Sequence, residues 1–229
     1  MTTDKNDGLT LVMDTSSQSA AAGLYRGSDA VAESFVNAGL THSQTLGLML
    51  ERLLAVSRAG AKDVARVVVT NGPGSFTGLR IGVAAALGYA AAAGCEILGV
   101  SSLEAAAWNA VRAPQGSRVR AVQDARRGQV YTALFRVCGD RLERLCEDHT
   151  APVEDILRET EPVIVLGDGA ELCCRPRDIL IPEWRHIRAY GVMRCAEAGH
   201  TRPAEPIRYL RLPQAERERL ERLGAGDGA

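Results

Sequence analysis

The sequence predicts an α/β fold of two related lobes, each with a mixed sheet flanked by helices. Two observations lead to this prediction. Short β-branched runs alternate with helical patterns along the 229 residues. The pattern "VMDTSSQSAAAGLY" returns without gaps as "VQDARRGQVYTALF", so that Asp14 faces Asp124, and "VVVTNGPGSF" returns as "VIVLGDGAEL". A repeat of this length indicates a duplicated lobe.

The first lobe is predicted over residues 9–114. Leu9–Met13 reads as a strand, the turn "DTSSQS" leads back into "AAAGLY", and "AVAESFV" supplies a third strand. The segment "THSQTLGLMLERLL" carries apolar residues at the spacing of one helix face. Val67–Val69 has the unbroken apolar character of a central strand. A helix of small residues follows over Arg80–Ala93, then a short strand "ILGV" and a capped helix in "SSLEAAAWNAVR".

The second lobe is predicted over residues 115–213, beginning with the repeated hairpin. Residues 1–8 are expected to form a flexible N-terminal tail. Residues 214–229 are expected to form a charged helix and a flexible Gly-rich end.

Charge and composition argue against several functional classes. Lys and Arg number 27 against 28 Asp and Glu, which gives a net charge of -1. Strong nucleic-acid binding by the chain alone would need a basic surplus; Arg126 with Arg127 is a candidate local patch. The polar start "MTTDKNDG" lacks the apolar core of a signal peptide, and no apolar run approaches bilayer length, so we expect a cytoplasmic protein without a membrane partner.

The loop "GPGSFTG" raises the question of phosphate binding. It has no lysine, so it is not a Walker loop, and its third glycine lies one position too late for a dinucleotide fingerprint. We therefore expect a packing role, in which Gly72 and Gly74 allow a tight turn and Gly78 lets a helix approach the sheet.

A family resemblance rests on "GPGSFTGLRIG", supported in order by "LVMDTSSQSAAAGLY", "THSQTLGLMLERLL", "DARRGQVYTALF", "LGDGA" and "YLRLPQAE". Over about residues 9–216 the chain resembles the bacterial TsaB (YeaZ) family. The resemblance implies the actin-like ATPase (ribonuclease H-like) fold.

The resemblance also implies a degenerate nucleotide site between the lobes. Its candidate residues are Asp14, Thr15, Ser16, Asp124, Gly167 and Gly169. The bulky Arg126 and Arg127 stand where small residues would admit phosphates. No cofactor is therefore expected on this chain alone, although ATP or ADP could bind at the joint of a complex.

The catalytic relative, TsaD, carries a metal-binding His-x-x-x-His on the helix after the "GV" strand. The matching positions here are Ser102 and Ala106, which cannot replace imidazole ligands. Glu104 lies between them and is expected to be solvated. We therefore expect neither a metal site nor catalytic residues.

The family's role implies a noncatalytic subunit that supports threonylcarbamoyl transfer to the adenosine next to the anticodon of tRNAs reading ANN codons. The implied partners are TsaD, the ATPase TsaE and, through the complex, tRNA; the chain could also pair with itself. The candidate partner-binding residues are Leu46, Met49, Leu50, Leu53, Ile81, Ala84, Ala85 and Gly88. The alternatives are an autonomous actin-like ATPase or sugar-kinase-like enzyme, and a metallopeptidase.

Overall fold

The computed structural model describes residues 8–37, 39 and 42–211. The predicted N-terminal tail, apart from Gly8, and the predicted charged C-terminal helix lie outside the described residues.

The first sheet contains five strands in the order β3-β2-β1-β4-β5. β1 pairs antiparallel with β2 and parallel with β4, so the sheet is mixed as predicted. The strands are β1 (Leu9–Asp14), β2 (Ala20–Arg26), β3 (Asp29–Val36), β4 (Val64–Thr70) and β5 (Glu96–Val100).

The second sheet repeats this topology strand for strand. Its order is β8-β7-β6-β9-β10, with β6 in the place of β1 and with the same parallel and antiparallel neighbours. Asp14 ends β1 and Asp124 ends β6, which confirms the duplication. The strands are β6 (Arg118–Asp124), β7 (Gln129–Cys138), β8 (Arg141–Pro152), β9 (Ile164–Leu166) and β10 (Ile179–Leu180).

Six α-helices within the described residues form three layers around the two sheets. They are α1 (His42–Val56), α2 (Phe76–Ala93), α3 (Ser102–Ala107), α4 (Val153–Arg158), α5 (Ala170–Cys173) and α6 (Ala189–Glu197). Helices α1 and α2 cover the outer face of the first sheet, and α4 and α5 cover the outer face of the second. Helices α3 and α6 lie between the sheets, where they join residues from both sheets in one core.

Local sequence explains where α2 begins and ends. The Ser75 hydroxyl accepts a hydrogen bond from the Gly78 N–H at 3.2 Å, so Ser75 is the N-cap. Gly94 ends the helix in the left-handed conformation, with φ of 68°.

The chain crosses between the lobes after residue 114. Helix α6 follows the second sheet in the chain but packs on β1, β2 and β4 of the first. Beyond it, Arg202 forms a β-bridge with Gly99, and the Arg208 N–H donates to the Asn71 carbonyl at 2.8 Å. A domain boundary at residue 114 therefore separates the two sheets, but the core around α3 and α6 contains residues from both sides of that boundary.

Helix α2 corrects the expectation that no apolar run in the chain approaches bilayer length. Its 18 residues have a mean hydropathy of 1.3, which is long and apolar enough for a membrane span by length and composition alone. In this fold one face of α2 packs against β4 and α1, and only 33% of the helix is buried. The apolar character of α2 is therefore divided between a core face and an outer face.

Candidate functional site

The first candidate turn follows β1 and is organised around Asp14, which is completely buried. One carboxylate oxygen, Oδ1, accepts from the Ser16 N–H at 3.1 Å, the Ser16 hydroxyl at 2.6 Å and the Thr70 hydroxyl at 2.6 Å. The other oxygen, Oδ2, has no hydrogen-bond partner among the described residues. Burial raises the pKa of Asp14, although these hydrogen bonds oppose the rise.

The glycine-rich loop packs directly on this turn. The Ser75 N–H donates to the Ser16 carbonyl at 2.8 Å, and the Thr15 hydroxyl donates to the Gly78 carbonyl at 2.8 Å. A Cβ on Gly74 or Gly78 would lie closer than 3.0 Å to the carbonyl oxygen of Ser16 or Thr15 respectively. A Cβ on Gly72 would meet the Arg208 carbonyl in the same way. Close backbone contact thus requires glycine at these three positions.

The second candidate turn follows β6. The Arg126 N–H donates to Asp124 Oδ1 at 2.7 Å, and the Arg126 guanidinium contacts Asp124 Oδ2 at 3.0 Å. Arg126 and Arg127 both have left-handed backbone conformations, with φ of 66° and 57°. Arg211, which was not predicted as a site residue, donates to the carbonyls of Ala125 at 2.5 Å and Arg126 at 3.2 Å.

The loop with Gly167 and Gly169 brings a third carboxylate, that of Asp168, to the second turn. A Cβ on Gly167 would overlap the Val122 carbonyl, and a Cβ on Gly169 would crowd the Asp124 N–H. The residue between them, Asp168, accepts from the Asp124 N–H at 3.3 Å. Burial raises the pKa of Asp168 to about 6, and the charges of Asp124 and Asp14 contribute to that rise.

Of the six residues predicted as a degenerate nucleotide site, Ser16 and Asp124 line one cleft between the lobes, whereas Asp14, Thr15, Gly167 and Gly169 belong to the adjoining turns and loop without lining it. The cleft has a volume of about 610 Å³. Asp168, which was not among the predicted site residues, also lines it.

Four of the backbone N–H groups around this cleft are already engaged within the chain. In this fold the phosphates would be bound by backbone N–H groups of the turns and of the helix N-terminus. The N–H groups of Ser16, Ser75, Gly78 and Arg126 already donate to protein oxygens.

The positions that correspond to metal ligands in the catalytic relative lie in the shared core. Ala106 is buried, and the buried Ser102 hydroxyl donates to the Pro73 carbonyl. Within residues 8–37, 39 and 42–211, no group of three or more His, Cys, Asp or Glu side chains could hold a metal ion.

Glu104 is buried, which corrects the expectation of a solvated carboxylate. Its two oxygens contact Arg144 at 2.7 Å and His200 at 2.5 Å. Arg144 also pairs with Asp148 at 2.7 Å, and Asp148 accepts from the Ser101 hydroxyl at 2.7 Å. This network links α3, β8 and the segment after α6. No periodic pattern in the sequence could have shown it, because its members are far apart in the chain.

The predicted partner surface needs correction at four of its eight residues. Leu46, Met49, Leu50 and Leu53 are at most 9% exposed and pack in the core between α1 and the first sheet. They form the inner face of α1, so they are not accessible to a partner. On α2, Ala84 and Gly88 are exposed, whereas Ile81 and Ala85 are half-buried.

Comparisons with known proteins agree with this architecture. Residues 36–168 match the family model described as TsaD, tRNA N6-adenosine threonylcarbamoyltransferase. The chain is 35% identical over 166 residues to the tRNA threonylcarbamoyladenosine biosynthesis protein TsaB of Bacillus subtilis (strain 168), covering 71% of this chain and 72% of that protein. It is 34% identical to TsaB of Escherichia coli (strain K12), covering 55% of this chain and 54% of that protein.

A solved structure gives the same fold. YeaZ from Pseudomonas aeruginosa superposes with a TM-score of 0.74 and 24% identity, over 90% of this chain and all of that chain. This likeness confirms the predicted fold class of two mixed sheets flanked by helices. The sequence matches and the shared fold lead to one conclusion. The chain belongs to the TsaB (YeaZ) family of tRNA threonylcarbamoyladenosine biosynthesis proteins.

Proposed function

We propose that this chain is a noncatalytic subunit that supports threonylcarbamoyl transfer to the adenosine next to the anticodon of tRNAs reading ANN codons. The observation that carries the proposal is the state of the interlobe cleft: four backbone N–H groups that could bind phosphate are engaged by protein oxygens. Ser102 and Ala106, at the positions of the metal ligands in TsaD, add support. The chemistry would then belong to TsaD, and TsaE would act as the ATPase of the complex.

The outer face of α2 is the surface that supports partner binding best. Ala84 and Gly88 lie one turn apart on this face and are exposed, with Ile81 and Ala85 beside them. On the neighbouring α1, Leu48 is 48% exposed. Small side chains allow a partner helix to approach closely, and apolar burial contributes about 25 cal/mol per Å² before the costs of association. We propose that TsaD docks here and that a second copy of this chain can use the same surface.

The test uses Ala84→Arg combined with Gly88→Arg. Both positions are exposed, and the space around Gly88 is open to 4 Å, so the variant should fold. Two guanidinium groups would be desolvated by a docking helix, so co-purification with TsaD should fall to background. The control is Leu157→Arg, which introduces a charge at a 40% exposed leucine on α4 of the other lobe. It should retain TsaD.

Leu50→Asp and Leu53→Asp are unsuitable for this test, because an unpaired aspartate in the core would unfold the lobe. Normal TsaD retention by the double arginine variant would refute the proposed surface. The proposal places the protein in the cytoplasm, where tRNA would reach it through the complex. Any ATP or ADP would bind at the joint with partner groups.

A further inference from the structure

The turn after β6 has an unusual backbone for its sequence. Arg126 and Arg127 are consecutive residues with positive φ, 66° and 57°, and Gly128 follows at 68°. Residues other than Gly, Asn and Asp rarely adopt a positive φ, because their Cβ crowds the following carbonyl oxygen. Only one other described non-glycine residue, Arg58 with φ of 52°, has a positive φ.

Contacts from elsewhere hold this strained turn in place. Arg211 donates to the carbonyls of Ala125 and Arg126, and Asp124 accepts from the Arg126 N–H. Glycine at the two positions would form the same turn with less strain. Strain that the surroundings maintain in this way is typical of functional positions.

The turn lies at the rim of the interlobe cleft. Arg126 and Arg211 line the main cavity, and Arg126 and Arg185 line a neighbouring hollow of about 380 Å³. The Arg126 side chain is 70% exposed. Its contact with Asp124 is a surface ion pair, which can be exchanged for another anion at little cost. The rim therefore carries three guanidinium groups, two of them in ion pairs, Arg126 with Asp124 and Arg185 with Glu171, whereas Asp168 places a carboxylate on the wall of the same cavity.

We propose that the Arg126-Arg127 turn binds the phosphodiester backbone of RNA. An acidic wall and engaged N–H groups disfavour a polyphosphate inside the cleft, whereas cationic side chains at the rim suit a backbone that runs across its mouth. Guanidinium groups bind phosphate with two parallel hydrogen bonds. This inference rests on the proposed function, which makes tRNA the RNA concerned.

The experiment measures binding of a fluorescein-labelled, unmodified tRNA that reads an ANN codon, by fluorescence anisotropy. Titrations use the full chain alone and in its complex with TsaD, at about 50 to 200 mM KCl. The variants are Arg126→Gly with Arg127→Gly, and Arg126→Asn with Arg127→Asn, because Gly and Asn both accept positive φ. Arg58→Gly is the matched control: it relieves the same kind of strain at the end of α1, away from the cleft.

Both double variants should bind tRNA about tenfold more weakly, and the slope of log affinity against log salt should become shallower by about two, one for each lost phosphate contact. The glycine double variant and Arg58→Gly should each melt about 2–4 °C higher than the parent, because left-handed strain is relieved. Arg58→Gly should bind tRNA normally.

Parental tRNA affinity and parental salt slope in both double variants would overturn the inference. So would ATP binding that depends on the two arginines while tRNA binding does not. Failure of the parent chain to bind TsaD would count against the proposed function instead. Failure of both the parent chain and its complex with TsaD to bind tRNA at about 50 mM KCl would overturn the inference.

Discussion

Asp14, at the end of β1, is a fully buried carboxylate, and Asp168, shortly after β9, is a half-buried one; the two have different environments. Asp14 has three hydrogen bonds to one oxygen, all from Ser16 and Thr70. Asp168 has one, from the Asp124 N–H at 3.3 Å, and it lies near two like charges. The Asp14 side chain therefore organises its turn, whereas an ionised Asp168 is a cost to the folded state.

Asp168→Asn should stabilise the protein at pH 7 but not at pH 4. The pKa of Asp168 is about 6 in the folded protein and about 3.9 when unfolded, so the folded state binds the proton more tightly. Stability is consequently lost as the pH rises from about 4 to about 6, and asparagine removes this loss while keeping an acceptor oxygen.

Urea unfolding at the two pH values measures the effect. The gain at pH 7 should be at most about 3 kcal/mol, because each pKa unit corresponds to about 1.4 kcal/mol, and it should vanish near pH 4. A gain of equal size at both pH values would show that ionisation is not its source.

At the scale of elements, the main feature is the contact between the β1–β2 turn and the first turn of α2. Gly78 and Gly88 lie on the same helix with opposite surroundings. A Cβ on Gly78 would overlap the Thr15 carbonyl, whereas nothing lies within 4 Å of a Cβ on Gly88. The glycine in the loop motif thus has a packing role, and the later one leaves the outer helix face flat.

Gly78→Ala should destabilise the isolated chain by about 1–3 kcal/mol, because the turn and the helix must move apart. Gly88→Ala should stabilise it by up to about 1 kcal/mol through helix propensity. Thermal unfolding of both variants under identical conditions compares them. Equal effects of the two substitutions would contradict the packing role of the loop.

Sequence patterns predicted the helices, the strands and the duplicated lobe better than they predicted which residues form a partner-binding surface. The repeat placed Asp14 and Asp124 at the ends of equivalent strands, although the turn after Asp124 is one residue shorter than the turn after Asp14. Apolar spacing predicted α1 correctly, but periodicity does not tell whether Leu46 and Leu50 contact their own sheet or a partner. The left-handed Arg126 could not be predicted, because arginine gives no local signal for positive φ and the contacts from Arg211 come from a distant segment.

At the scale of the whole molecule, the two lobes share their inner layer. Helices α3 and α6 form one core with residues of both sheets, and the Glu104–Arg144–Asp148 network joins α3 to β8. Removing one member of such a buried network leaves an unpaired charge, which is strongly destabilising. This construction suits a subunit that keeps a fixed shape for a partner, with the outer face of α2 left free of the protein's own core.

The most direct test of this account is threonylcarbamoyl transfer to tRNA, reconstituted from purified components. The chain alone should give no transfer, and TsaD with TsaE should need this chain for activity. The variant with Ala84→Arg and Gly88→Arg should fail to restore that activity, whereas Leu157→Arg should restore it fully. Transfer to tRNA by this chain without TsaD, or full TsaD activity in its absence, would contradict the account.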